Sequence, residues 1–94
     1  MDAISETLQA RGKEYGPFIA QAAIAQTLKR AVRACPNWPK LKSDQREAID
    51  HIMIKLSRIL NGNPDHVDSW HDISGYSKLV EDRLRRGGPA PDVD

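Results

Sequence analysis

The sequence predicts an all-α fold, a small bundle of about four helices. Three observations lead to this prediction. Apolar residues recur at helical spacing, no run alternates as a half-buried strand would, and Gly and Pro divide the chain into four segments. The 94 residues suffice for one small domain, which we place at residues 1–86. Chains of this size often supplement a small core by oligomerising, so we expect a homo-oligomer.

The first two helices are short and separated by a break. Ile4 and Leu8 lie one turn apart and predict a first helix over residues 2–11. The segment RGKEYGP then ends it, because two glycines and a proline interrupt the pattern. A second, alanine-rich helix is predicted over residues 18–34, followed by the loop CPNWPKLK, whose prolines stop a helix.

The third helix begins near residue 44. Asp44 with Glu47 three residues later resembles a capping box, and Ser43 is a competing N-cap. From there Ile, Met and Leu recur at helical spacing up to Leu60.

The segment NGNP joins the third helix to the fourth. Gly62 suits the C-cap of the third helix, whereas Asn63 and Pro64 suit the N-cap and first position of the next. The fourth helix is predicted from about residue 65 to residue 86. Residues 87–94, GGPAPDVD, are too polar and too rich in Gly and Pro to pack, so we predict a disordered tail.

Composition excludes several classes of protein. The net charge is +1, and the basic stretch LKRAVR lacks interleaved aromatic residues, which argues against nucleic-acid binding. The single cysteine, Cys35, excludes an internal disulfide and fits a reducing cytoplasm. No apolar stretch approaches the ~18 residues that a membrane helix needs, so we expect a cytoplasmic protein without a membrane partner.

Two pairs of acids suggest a metal site. Glu47 and Asp50 are three residues apart on the third helix, and Asp68 and Asp72 are four apart on the fourth, so each pair shares a helical face. The tight NGNP turn makes these helices antiparallel neighbours, which predicts that Asp50 and Asp72 differ by only about 3 Å in axial height. Carboxylates that face each other in this way are typical ligands of Mg²⁺.

The spacing of the acids alone favours a solvated helix edge over a metal site. Gly75 shifts the balance because it shares the face of the fourth-helix acids. A glycine inside a helix costs roughly 1 kcal/mol relative to alanine, and a closely approaching ligand or helix would explain that cost. Lys55 and Arg58 on the third helix would suit phosphate groups. Together these features favour a site.

Three segments resemble the small phage-type branch of the MazG-like all-α nucleotide pyrophosphohydrolases. That branch has an R-G-x-x-Y-G stretch, a K-x-x-R helix and a D-S-W-x-D-x-x-G-Y helix. The matching residues are Arg11, Gly12, Tyr15 and Gly16; Lys55 and Arg58; and Asp68, Ser69, Trp70, Asp72, Gly75 and Tyr76. The C-terminal match is specific and covers residues 54–79, whereas the N-terminal match is shorter.

This resemblance implies an oligomeric all-α enzyme with Mg²⁺, or Mn²⁺, as cofactor. It would hydrolyse a nucleoside triphosphate, usually a deoxynucleotide, to the monophosphate and pyrophosphate. The implied metal ligands are Glu47, Asp50, Asp68 and Asp72, of which Glu47 and Asp50 would also be catalytic, Glu47 by orienting or deprotonating the attacking water. The residues expected to bind substrate are Lys13, Tyr15, Lys55, Arg58 and Tyr76.

The acid set departs from the family pattern. Asp50 stands in place of a glutamate, the second pair is spaced by four residues rather than three, and Pro17 follows Y-G where the family often has Asp. The alternative is therefore a non-catalytic MazG-like interaction protein that binds a host protein or a nucleotide.

Overall fold

Four α-helices and one short 3₁₀ turn make up residues 2–87, which are the part of the chain that this computed structural model describes. The elements are α1 (Ala3–Tyr15), α2 (Phe18–Arg33), the 3₁₀ turn (Trp38–Lys40), α3 (Ser43–Asn61) and α4 (Val67–Arg86). No strand occurs within these residues, so the predicted all-α class and the small helical bundle are confirmed. Of the predicted tail, only Gly87 lies inside the described residues.

The first helix is longer than predicted. It ends at Tyr15 rather than at residue 11, because its hydrogen-bonded ladder continues through Gly12 as far as the bond from Gly16 N–H to Gly12 C=O. The break comes at Gly16, whose φ of 77° lies in a region that only glycine adopts readily. Asp2 caps the start by accepting from the Ser5 N–H at 2.7 Å.

The third helix starts at Ser43, one residue before the predicted capping box. Lys42 is therefore the residue that precedes it. The backbone N–H of Lys42 donates to the side-chain oxygen of Gln45 at 2.8 Å, so Gln45 makes the reciprocal bond that we assigned to Glu47.

The fourth helix starts later than predicted, at Val67 with His66 before it. Asn63 does not cap it. Its side-chain oxygen instead accepts from the Asp65 N–H at 3.0 Å, which folds the segment into a turn. The Trp70 indole N–H donates to the carbonyl of Pro64 at 2.8 Å and fixes this turn against α4.

The core centres on α3, which packs against α4 and α2 and contacts α1. Its buried apolar members among the described residues are Ala25, Ala48, Met53 and Ile59. A buried polar link joins α2 to α3, since Gln21 donates to the Ser57 hydroxyl at 3.0 Å. The one buried residue of α4 is Ser69, whereas its apolar residues Ile73 and Val80 are half-buried.

Large apolar side chains remain on the surface of the described residues. They are Ile4, Leu8, Phe18, Ile19, Leu60, Val67, Trp70, Leu79 and Leu84. An oligomer would cover such residues, but the predicted oligomerisation stays a prediction. Among the described helices, none combines the length and apolar character needed to cross a membrane.

Candidate functional site

The two helices that carry the predicted acids lie side by side in a well-defined antiparallel register. Three facing pairs define it: Asp44 with Arg83, His51 with Tyr76, and Lys55 with Asp72. In each pair the residue number rises along α3 by as much as it falls along α4, as antiparallel helices require. The prediction that α3 and α4 are antiparallel neighbours is therefore confirmed.

Asp72 forms an ion pair across this seam. Its carboxylate lies 2.9 Å from the Lys55 ammonium. Hydrogen bonding from Lys55 lowers the pKa of Asp72 below its ordinary value, and the charges of Lys55, His71 and Arg58 act in the same direction. Asp72 is therefore an anion with its own cation.

Asp44, which was not predicted as a site residue, makes the tightest ion pair on this seam. Both of its carboxylate oxygens accept from the Arg83 guanidinium, at 2.8 and 2.9 Å. The bonds from Arg83 hold the pKa of Asp44 below its ordinary value. The pair ties the first turn of α3 to the last turns of α4.

The other three predicted acids point to separate partners. Asp50 accepts from Arg33 of α2 at 3.0 Å. Glu47 and Asp68 are solvated, with 72% and 83% of their side chains exposed, and each lies 3.9 Å from a histidine, His51 and His66 respectively.

The register separates the four acids along the helix axis. Asp72 faces Lys55, five residues beyond Asp50, and five residues correspond to about 7.5 Å rather than the predicted 3 Å. By the same register Asp68 is level with Ile59, twelve residues beyond Glu47, or about 18 Å. The cause is the late start of α4, which lengthens the turn.

The axial separation of the four acids bears on the predicted Mg²⁺ site. Mg²⁺ holds its oxygen ligands at about 2.1 Å, so carboxylates spaced over about 18 Å cannot share one ion. Within residues 2–87, no group of three or more His, Cys, Asp or Glu side chains is placed to hold a metal ion. The four acids therefore do not fit one shared Mg²⁺ in this arrangement, and their catalytic and metal-binding roles stay predictions.

The residues predicted to bind substrate lie in two places. On the side of α3 that faces α1, the Arg58 guanidinium stacks over the Tyr15 ring at 4.4 Å. On the side that faces α4, Lys55 pairs with Asp72, and Tyr76 stacks on His51 at 4.6 Å. Lys13 is exposed in the last turn of α1.

Sequence reasoning missed a junction between α1 and the turn from α3 to α4. Asn63 donates its backbone N–H to the Glu14 carbonyl at 2.6 Å and its side-chain amide to the Glu14 carboxylate at 3.1 Å. The same carboxylate lies 3.0 Å from His66 Nδ1, and the Asn61 amide donates to the Tyr15 carbonyl at 2.9 Å. We call this contact the α1 junction.

Gly62 makes the α1 junction possible. It is the C-cap of α3, as predicted, but its role goes further. A Cβ at this position would overlap the carbonyl oxygen of Glu14 and the backbone of Tyr15. The glycine is needed for close approach of two backbones. Gly75, by contrast, has open space around a Cβ position, so the close neighbouring helix that we considered there is absent from the described structure.

Sequence reasoning also missed a cavity between α1, α2 and α3. Its volume is about 800 Å³, and its lining includes Tyr15 and Arg58 together with Arg11 and Lys29. A signal for it was present. Arg11 and Tyr15 are four residues apart on α1 and share a face, and Lys29 continues the stripe of α2 that contains Ala22 and Ala25.

Comparison of the chain with protein-family models, with curated proteins and with solved structures found no match.

Proposed function

We propose that this chain is a MazG-like protein that hydrolyses nucleoside triphosphates to the monophosphate and pyrophosphate. One observation supports the proposal most directly. Motif residues from distant parts of the chain meet, since Arg58 of the K-x-x-R segment lies over Tyr15 of the R-G-x-x-Y-G segment at 4.4 Å. The ring of His66, just before the D-S-W segment, contacts the same Tyr15 at a centroid distance of 5.6 Å.

Basic side chains would bind the phosphates, and an acidic side chain would activate the water. Lys55 and Arg58 lie one turn apart on α3 and would hold phosphate oxygens, Lys55 as a point charge and Arg58 as a planar fork. The resemblance implies Glu47 as the base; its carboxylate is solvated and would orient the attacking water or accept its proton. The water oxygen bonds to the α-phosphorus, the bond between that phosphorus and the bridging oxygen of the pyrophosphate breaks, and pyrophosphate departs. The four acids do not fit one shared ion, so we assign no step to a metal held by all of them; the divalent cation that the resemblance implies would be held in part by the substrate phosphates.

The test is an assay of pyrophosphate release. The protein is incubated with each canonical dNTP and NTP, in Mg²⁺, in Mn²⁺ and in EDTA. We expect release from one class of nucleotide, with deoxynucleotides preferred, and only with a divalent cation. If no nucleotide releases pyrophosphate under any of these conditions, the proposed hydrolysis is wrong.

Asp72 belongs to the proposed site as a metal ligand that the resemblance implies. This assignment has a matched control on the same helix. Asp72 and Asp82 are both 42% exposed, and each pairs with a lysine, at 2.9 and 3.0 Å. We expect Asp72→Ala to abolish hydrolysis and Asp82→Ala to leave it unchanged, with both variants folded by circular dichroism. Cation-dependent turnover by Asp72→Ala would show that the site assignment is wrong.

A second candidate is a non-catalytic protein that binds a nucleotide or a host protein. The acid pairing favours it, because Asp50 and Asp72 each have a cation of their own, Arg33 and Lys55. The same samples decide between the two functions. A nucleotide that raises the melting temperature without releasing pyrophosphate supports the binding protein.

A further inference from the structure

The cavity between α1, α2 and α3 has the size of a small-molecule site. At about 800 Å³ it falls within the range of roughly 300 to 1,000 Å³ typical of ligand pockets. All of its lining residues come from these three helices and from the two-residue link between α1 and α2, and among the described residues α4 contributes none. The cavity is therefore separate from the seam that holds Asp68 and Asp72.

The charge in this cavity is of one sign. Three cations line it, Arg11, Lys29 and Arg58, whereas no described Asp or Glu does. Within residues 2–87, no carboxylate forms an ion pair with Arg11 or Lys29, in contrast to Lys55 on the other side of α3. Arg58 lies within electrostatic range of Asp72, whereas Arg11 and Lys29 have no described carboxylate to offset their charge, so the cavity wall attracts an anion.

Arg58 gives an independent indication of a missing acceptor. Its Nε is buried and has no hydrogen-bond partner among the described residues. Buried donors are almost always paired, and this one is enclosed by protein, so a ligand oxygen reaches it only if the guanidinium turns toward the cavity. The ring of Tyr15 lies against the same guanidinium and holds it in place.

The rest of the lining is apolar. Ala22, Ala25 and Ile54 form part of the wall, and Leu8 and Phe18 line the cavity while remaining largely exposed. Such a surface would bind an aromatic ring or an aliphatic group of a ligand, and it would bind an inorganic anion only weakly.

We infer that this cavity binds a small amphipathic anion, with an apolar ring system against the alanines and Ile54 and with phosphate groups against Arg11, Lys29 and Arg58. The site shares Tyr15 and Arg58 with the residues predicted to bind substrate, and it adds Arg11 and Lys29. Binding here does not require hydrolysis, so the inference survives if the proposed activity is absent.

The experiment is calorimetric titration in EDTA, where cation-dependent hydrolysis cannot proceed. The probes are the canonical dNTPs and flavin mononucleotide, compared with inorganic triphosphate and with the unphosphorylated nucleosides. We expect at least one phosphorylated ring compound to bind, and both inorganic triphosphate and its own nucleoside to bind at least tenfold more weakly. Equal affinity for inorganic triphosphate, or no binding by any probe up to millimolar concentration, would overturn the inference.

Substitutions in the cavity lining test whether the ligand binds there. Lys29→Gln and Arg11→Gln should each weaken it about tenfold, the ratio that 1.4 kcal/mol represents. Arg30→Gln is the matched control, because Arg30 adjoins Lys29 on α2 but does not line the cavity. Ala22→Leu should abolish binding by filling the space without changing any charge, with folding checked by circular dichroism. A loss in Arg30→Gln equal to that in Lys29→Gln would show non-specific attraction and contradict the site.

Discussion

The two sides of α3 handle charge in opposite ways. On the side of α4, ion pairs cross the seam, Asp44 with Arg83 and Asp72 with Lys55. On the side of α1 and α2, the cavity cations Arg11, Lys29 and Arg58 have no carboxylate on the same wall. Of the four acids predicted from the sequence, Asp50 and Asp72 each have a cation of their own, whereas the cavity cations Arg11 and Lys29, which were not predicted, have no described carboxylate partner.

This contrast follows from how little apolar surface α4 buries. Ser69 is its one buried residue, while Val67, Leu79 and Leu84 are each more than half exposed. Ile73, Tyr76 and Val80 supply half-buried apolar contacts, and the hydrogen-bonded ion pairs add to these in holding α4 against α3. A charge that serves packing is paired within the chain. A charge left unpaired beside a cavity is the better indicator of a ligand.

The largest effect is expected at the α1 junction, from Gly62→Ala. The added Cβ would overlap the backbone of Glu14 and Tyr15, which cannot rotate away as a side chain can. We expect a loss of about 3 kcal/mol in the free energy of unfolding, at the upper end for overpacking, measured by urea denaturation. Ligand binding in the cavity should also weaken, because the same displacement moves Tyr15.

Gly75→Ala is the control for this variant. A Cβ there meets no atom within 4 Å outside its own helix backbone, and alanine favours a helix interior. It should stabilise the protein by up to about 1 kcal/mol. If both variants lose stability to the same extent, the close backbone contact at Gly62 is not the cause.

A smaller loss is expected from Asp44→Asn, which breaks the tightest pair on the α4 side. The Asp44 and Arg83 side chains are 21% and 14% exposed and form two parallel bonds. We expect a loss of about 1 kcal/mol by urea denaturation, more than a typical surface pair provides. Asp82→Asn, which removes the exposed pair with Lys78, should cost less. Equal losses would show that the α4 seam does not depend on this pair.

The helical segments could be predicted because their signals are local. Apolar periodicity and the positions of Gly and Pro identify four helices, and the chain forms four within the described residues. The predicted end of α1 and start of α4 were wrong, and the start of α4 has a non-local cause. The turn after α3 takes its shape from the bond between Asn63 and Glu14, residues that are far apart in sequence.

The same turn explains why the candidate site could be predicted only in part. Sequence placed the acids on neighbouring helices, but the axial register depends on how many residues the turn consumes. The predicted turn was too short by a few residues, so Asp50 and Asp72 lie further apart along the helix axis than predicted. Local patterns do not encode how helices α1 to α3 pack. That packing determines the ion pair between Asp50 and Arg33 and the cavity that both Arg11 and Lys29 line.

Acid should weaken the contact between α3 and α4. Arg83 holds the pKa of Asp44 below its ordinary value in the folded chain, and unfolding returns it to about 3.9. As pH falls, the unfolded chain therefore binds a proton at Asp44 before the folded chain does. The stability that the pair of Asp44 with Arg83 contributes is complete above the ordinary pKa of Asp44. It is lost as pH falls through the lower pKa of Asp44 in the folded chain. Urea denaturation between pH 6 and pH 3 should show a decline below about pH 4 that is shallower in Asp44→Asn. An identical decline in both proteins would remove Asp44 as its source.

The smallest effect is expected from Asp72→Asn, and it decides what Lys55 is for. Asp72 is twice as exposed as Asp44, at 42% against 21%, so its loss should cost less stability than Asp44→Asn does. The informative comparison is a double-mutant cycle of Asp72→Asn with Lys55→Gln, read by urea denaturation. A coupling well below that of Asp44 with Arg83 means that Lys55 contributes little to packing and is available to a phosphate ligand, as the proposed function requires. A coupling as strong as that of Asp44 with Arg83 would instead make the whole α4 side a structural seam. The cavity cations Arg11 and Lys29 would then be the better candidates for binding a ligand.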